Sequence, residues 1–169
     1  MKASGIIKGV SENRKTGTRA QADTKNLKAG QFIGDYDDHP KITIPKRSTI
    51  KYTRDAAKIA RCISNKEQEH VLIISLNMGL QVLNARIVCI GGRGSATFCR
   101  ASAFKGAVLD GASEIIIIHN HPGGDLTPTK GDRKTLKQMI KAGRLLDINV
   151  LDSVIVHGKR WRSMMEGKA

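Results

Sequence analysis

The sequence predicts an α/β domain in three layers, a mixed β-sheet flanked by helices. Near-continuous apolar runs of strand length, "EHVLIISLN" and "SEIIIIHN", read as strands buried on both faces. Segments whose apolar residues recur at steps of three and four read as amphipathic helices. Turn residues separate the two kinds, in the order helix, two antiparallel strands, helix, strand, helix, strand.

Taken in order, residues 1–45 hold Gly, Lys, Thr and Asp with few large apolar groups and end in "DYDDHPKITIP". They read as a basic extended arm with a short strand around 41–44. His39 in that acidic loop reads as solvated. Residues 46–169 then form the folded domain. Ser48 or Thr49 is a candidate cap for a first helix with its body at 53–64, where Ala56, Ile59, Ala60 and Ile63 share one face. Residues 69–77 form a strand, Met78-Gly79 a tight turn, and 81–91 the returning strand. The stretch "GGRGSATF" reads as loop or short edge strand. Its "GGRG" is too short for a phosphate loop and lacks the Lys-Ser/Thr pair. A helix is expected at 102–110, ending at Gly111. A strand follows at 113–120, the longest helix at 129–146, a strand at 149–158 and a last short strand around 159–165.

The 169 residues suffice for one domain and an appendage, and 40% hydrophobic content fills one core. No run of eighteen apolar residues occurs, so no membrane helix is expected. The first residues show no secretory pattern. Cys62, Cys89 and Cys99 are odd in number and widely spaced, which fits neither a disulfide framework nor a four-cysteine zinc site. Reduced thiols and a cytoplasmic protein are the expectation. The net charge of +14 points to a polyanionic partner, with nucleic acid the first candidate. Aromatic content of 4% leaves few stacking platforms for single strands. Oligomeric state is not legible.

The densest chemistry lies in "IIIIHNHPGGDLTPTKGD". Residues two apart on an extended segment point the same way, so His119 and His121 can aim two imidazoles at one point. Pro122, Gly123 and Gly124 bend the chain. Thr129 is placed to cap the following helix, and Asp132, three residues on, faces back toward the strand end. Two imidazoles and a carboxylate leave a fourth coordination position open, the mark of a catalytic metal site. Zinc is the default ion, with manganese or iron as alternatives. The competing reading is ordinary polar loop chemistry, with Asp132 favouring the helix N-terminus through the macrodipole.

"HNHPGGDLTPTKGD" resembles the signature of the JAMM/MPN metalloprotease superfamily, most closely its bacterial RadC-like branch, which reads HNHPSGDPxPSxxD. "AGRLLDINVLDSVIVHG" and Ser163 after Trp161 extend the resemblance over about residues 54–166. The helix-hairpin-helix domain common upstream in full-length members is not recognisable. The resemblance implies the JAMM/MPN, cytidine-deaminase-like architecture, with His119, His121 and Asp132 as metal ligands. It puts Thr129 where the family has a serine that donates to a developing oxyanion; one such donor is worth about 3–4 kcal/mol. Gly123 stands for another serine. Two further departures bear on substrate binding: "RASAF" replaces the branch's Arg-Glu pair, and Ser153 replaces a frequent histidine. A cytidine-deaminase activity lacks its Pro-Cys-x-x-Cys half.

Hydrolysis needs a base for the metal-activated water. Glu67, Glu69 and Glu114 are candidates. Glu114 sits at the far end of the isoleucine strand, roughly 16 Å from His119, and Glu67 in a solvated turn. Glu69, which opens its strand as in the branch, is the expected base. Asp125 is expected to hydrogen-bond a ligand imidazole through its carboxylate. Lys130, Lys134, Lys137, Lys141 and Arg144 form one stripe along the Asp132 helix. That stripe suits phosphates or an acidic protein partner, or is simply a solvated face, while Leu136, Met139, Ile140 and Gly143 pack inward. The leading expectation is a zinc-dependent hydrolase of amide or isopeptide bonds acting on a protein or peptide, traditionally linked to DNA repair. A metal-dependent DNase or DNA-processing factor is the runner-up. A DNA-binding module without catalysis is the third.

Overall fold

The computed structural model describes residue 42, residues 48–91 and residues 100–165. The expected arm lies outside the described residues except for Ile42, whose N–H donates to the Ala85 carbonyl at 3.1 Å. The "GGRGSATF" stretch after its first glycine, Gly91, and Cys99 also fall outside them.

Helix α1 (Thr53–Ile59) runs into a single 3-10 turn (Ala60–Cys62) and is followed by β1 (His70–Leu76) and β2 (Val82–Ile90). Then come α2 (Arg100–Leu109), β3 (Glu114–Asn120), α3 (Lys130–Leu145), β4 (Asn149–His157) and β5 (Arg160–Ser163). The strands form one sheet in the order β2-β1-β3-β4-β5. Only the β3–β4 pair is parallel, and α3 supplies the crossover that such a pair requires. No helix among the described residues is long and apolar enough to cross a membrane.

The four isoleucines explain the three layers. Ile116 and Ile118 face α1 with Leu72, Ile74, Val154 and Val156. Ile115 and Ile117 face α2 and α3 with Val71, Ile73, Phe104 and Met139. All four are buried, and each contributes about 1.5–3 kcal/mol on leaving water. A strand covered on both faces has no polar side to alternate with, so it is apolar throughout until its last turn outward.

One local detail differs from expectation. Neither Ser48 nor Thr49 caps α1. Thr49 instead bridges Gln81 beside the sheet, and the Asp55 carboxylate accepts the N–H groups of Lys51 and Tyr52 at 3.3 and 3.2 Å. The tight turn expected at Met78-Gly79 is present, and its left-handed residue is the next one, Leu80 (φ 58°). Asn77 holds this turn, its Oδ1 accepting from Gly79 and Gln81 at 3.0 Å each.

Helix α3 packs as its periodicity predicts, with Leu136, Met139 and Gly143 buried. Gly143 is required there: a Cβ on it would lie 2.3 Å from the Ile148 carbonyl oxygen. Gly143→Ala must therefore push α3 off β4. We expect a loss of about 1–3 kcal/mol in urea unfolding, the usual cost of overpacking; an unchanged midpoint would show that the helix end yields freely.

Candidate metal centre

The site forms where β3 ends against the N-terminus of α3. His119, the penultimate residue of β3, lies on the face covered by α3, and His121, two residues on, keeps that direction. The His119 and His121 Nε2 atoms are 3.2 Å apart. Asp132 Oδ1 lies 3.5 Å from the first and Asp132 Oδ2 3.5 Å from the second. Among the described residues, these three side chains form a group able to share one ion. Zinc–nitrogen bonds of about 2.0–2.1 Å set tetrahedron edges of about 3.3 Å, so the donor spacing suits one small divalent ion with a further position open. The expected ligand set is thus brought together.

The loop between the donors is tied down locally. His121 Nδ1 donates to the Asp125 carbonyl oxygen at 2.5 Å, which turns Nε2 toward the centre. It is the Asp125 backbone, not its carboxylate, that orients the imidazole. The carboxylate instead accepts from Thr127 N–H at 2.8 Å, a bond that lowers its pKa. His157 donates from Nδ1 to the His121 carbonyl at 3.0 Å, and Arg160 donates to the Gly124 carbonyl at 2.8 Å. Gly124 has φ +80°, and a Cβ on it would sit 3.3 Å from His157 Nε2. Gly123 has open space around it.

Thr129 caps α3. Its Oγ1 accepts from Asp132 N–H at 3.1 Å, while its N–H and its hydroxyl both donate to Asp132 Oδ2 at 2.7 Å. The hydroxyl has one proton, and in this geometry Asp132 receives it. Thr129 is here a positioning residue for a donor; the oxyanion contact expected of it requires that bond to be given up. Burial pushes the Asp132 pKa up, but hydrogen bonds from His119, His121 and Thr129 outweigh it and hold the carboxyl far below the usual range. The same Asp132 contact raises the pKa of His121 against the opposing effect of burial.

Glu69 is buried, 8% exposed. With His119, Asp132 and Ser153 it lines a cavity of about 30 Å³, room for a water molecule. The expected base therefore shares one small space with two of the three donors, His119 and Asp132. Ser153 forms part of its wall. Glu67 is exposed. Glu114 pairs with Leu76 at the far end of β3, where burial raises its pKa. Both remain outside the site.

The residue that sequence reasoning missed is Asn120. Lying between the two histidines, it points to the opposite face of the sheet and is 0% exposed. Its Oδ1 accepts from His70 N–H at 2.7 Å, and its Nδ2 donates to the Lys66 and Gln68 carbonyls at 3.1 Å each. These bonds bracket Glu69. The signal was present: a polar residue flanked by two outward-aimed histidines must, by strand alternation, enter the opposite apolar layer, where it needs partners. His157 carried no sequence signal, because its contact is made through backbone.

Lys130, Lys134, Lys137, Lys141 and Arg144 are exposed along α3. With Arg133, which the sequence stripe omitted, they border an open groove of about 520 Å³. They do not enter the donor cluster.

Comparison with known proteins supports the same assignment. The family model described as RadC-like JAB domain matches residues 50–169. A UPF0758 protein of Chloroflexus aggregans is 35% identical over 125 residues, covering 73% of this chain and 55% of its own length. One from Roseiflexus castenholzii is 36% identical over 122 residues, covering 72% and 52%. One from Staphylococcus carnosus is 31% identical over 161 residues, covering 95% and 67%. The chain spans about half the length of the first two of these relatives. The match encloses every donor and all five strands, so the chain belongs to the RadC-like JAB domain family, within the JAMM-type metallohydrolase superfamily that its histidine loop resembles.

Proposed function

We propose that this domain is a divalent-metal hydrolase, most simply a zinc enzyme, that cleaves an amide or isopeptide bond in a protein or peptide. The observation that carries this reading is the shared cavity: Glu69 faces the same small space as His119 and Asp132. His119, His121 and Asp132 would hold the ion. A divalent ion in such a set supplies Lewis-acid polarisation and a water acidic at about pH 7. Glu69 would accept that water's proton and return it to the departing nitrogen. Thr129 fixes Asp132 and, on releasing it, has a hydroxyl to offer the oxyanion. The Asp125 carbonyl and the His157 ring keep the donor loop in place.

The exposed cations of α3 favour a second reading, metal-dependent DNA processing linked to repair. One assay separates the two. The purified chain is incubated with isopeptide-linked and linear peptides and, in parallel, with labelled DNA, with zinc or manganese and with chelator. Peptide cleavage that needs metal and disappears in His119→Ala supports the first reading. Metal-dependent DNA cleavage lost in the same variant replaces it with the second.

A further inference from the structure

A second concave surface lies on the other side of the donor loop, between α1 and the β4–β5 turn. Its cavity is about 100 Å³, floored by Ala57 and Val156 and walled by Trp161. Arg54, Lys58 and Arg61 enter it from α1 and the 3-10 turn, Lys159 and Arg160 from the hairpin. No carboxylate lines it among the described residues. Asp55, on the same helix, is engaged with Lys58 at 3.3 Å. No ion pair is formed by Arg54, Arg61, Lys159 or Arg160 among the described residues. Four like charges from segments a hundred residues apart are thus gathered without an internal counter-charge, an arrangement that favours a polyanion.

The aromatic wall narrows the choice. Trp161 is 37% exposed on edge strand β5, where it pairs in register with Val156, one of the residues on the groove floor. Arg54, which lines the groove, holds its guanidinium 4.4 Å from the ring centre of Tyr52, itself 60% exposed. Composition alone argued against stacking platforms, yet folding places the Trp161 indole among these cations. Cations that track a backbone beside aromatic rings that accept bases are the recognition chemistry of single strands. The exposed indole favours an unpaired base, which has a free face to stack, over a duplex, whose bases are already stacked on one another.

We propose that this groove binds single-stranded nucleic acid, with phosphates on Arg54, Arg61, Lys159 and Arg160 and one base stacked on Trp161. Arg160 also donates to the Gly124 carbonyl, so a bound strand would lie against the loop between His121 and Asp132. The proposal does not depend on metal binding or on hydrolysis.

Trp161 is the chain's only tryptophan, so its fluorescence reports the groove directly. The full chain is titrated with a short oligo-dT in the presence of chelator. The expected result is saturable quenching, with affinity falling with salt at a log–log slope of about −3, for four phosphates at about −0.7 each. Binding of a dye-labelled oligo-dT should weaken about 5- to 100-fold in Trp161→Ala, from the lost stack, and much less in Trp161→Phe. The double variant Arg61→Ala/Lys159→Ala, on exposed side chains, should also weaken it and flatten the salt slope by about 1.4. Equal quenching by polyglutamate would overturn the proposal in favour of an acidic protein partner. Binding that ignores these variants but is lost in Lys134→Ala/Lys137→Ala would move it to α3, and absence of binding at low salt would remove it.

Discussion

Asn120→Ala is expected to lower the unfolding free energy by about 1–3 kcal/mol, because one buried N–H loses its acceptor and two part-buried carbonyls lose a donor, the Gln68 carbonyl alone keeping another partner in the His70 imidazole. The groups are the His70 N–H and the Lys66 and Gln68 carbonyls, in a place where the side chain itself is fully buried. The loss also frees the segment that sets Glu69, so metal content can persist while any hydrolysis declines. Asn120→Asp keeps the acceptor for His70 but removes both donors and buries a charge, so it should not rescue the fold. Urea unfolding followed by circular dichroism gives the answer. A cost below about 1 kcal/mol would mean that water replaces the amide readily and that the segment is held by other contacts.

Glu69→Gln is expected to reduce turnover of a cleaved substrate by about 10²- to 10⁴-fold, the range of a lost general base. The substitution preserves shape and polarity in the small cavity shared with His119 and Asp132. Bound metal, thermal stability and KM should therefore change little, and the loss should fall on kcat. If turnover is retained, proton transfer passes through another group, and the shared cavity is a packing feature rather than a reaction space.

The parts of this molecule legible in its sequence are those with a period or a fixed spacing. The isoleucine run announced a strand covered on both faces, and its alternate side chains do enter two separate layers. His-x-His followed by Thr and Asp at the start of a helix placed the three donors, because strand alternation and helix capping are both local rules. Glu69 was legible only as the carboxylate immediately before β1; that β1 lies beside β3 is a property of the sheet. What the sequence hid was made by the fold or by backbone. The Asp125 carbonyl, rather than its side chain, orients His121, and a carbonyl has no residue type to read. The Thr129 hydroxyl is drawn to Asp132 because the cap and the donor occupy the same turn. The α1–hairpin groove joins residues far apart in sequence, so neither composition nor local pattern foretold an indole among arginines.

The central claim is a single divalent ion shared by His119, His121 and Asp132, and metal analysis after zinc loading and exhaustive dialysis tests it most directly. The account predicts close to one zinc per chain in the native protein. It predicts at least about a 100-fold loss of affinity in His121→Ala and in Asp132→Ala, more than outer-shell changes usually produce, with both variants folded. A native chain that emerges from dialysis without metal, or variants that retain as much as the native chain, would contradict it.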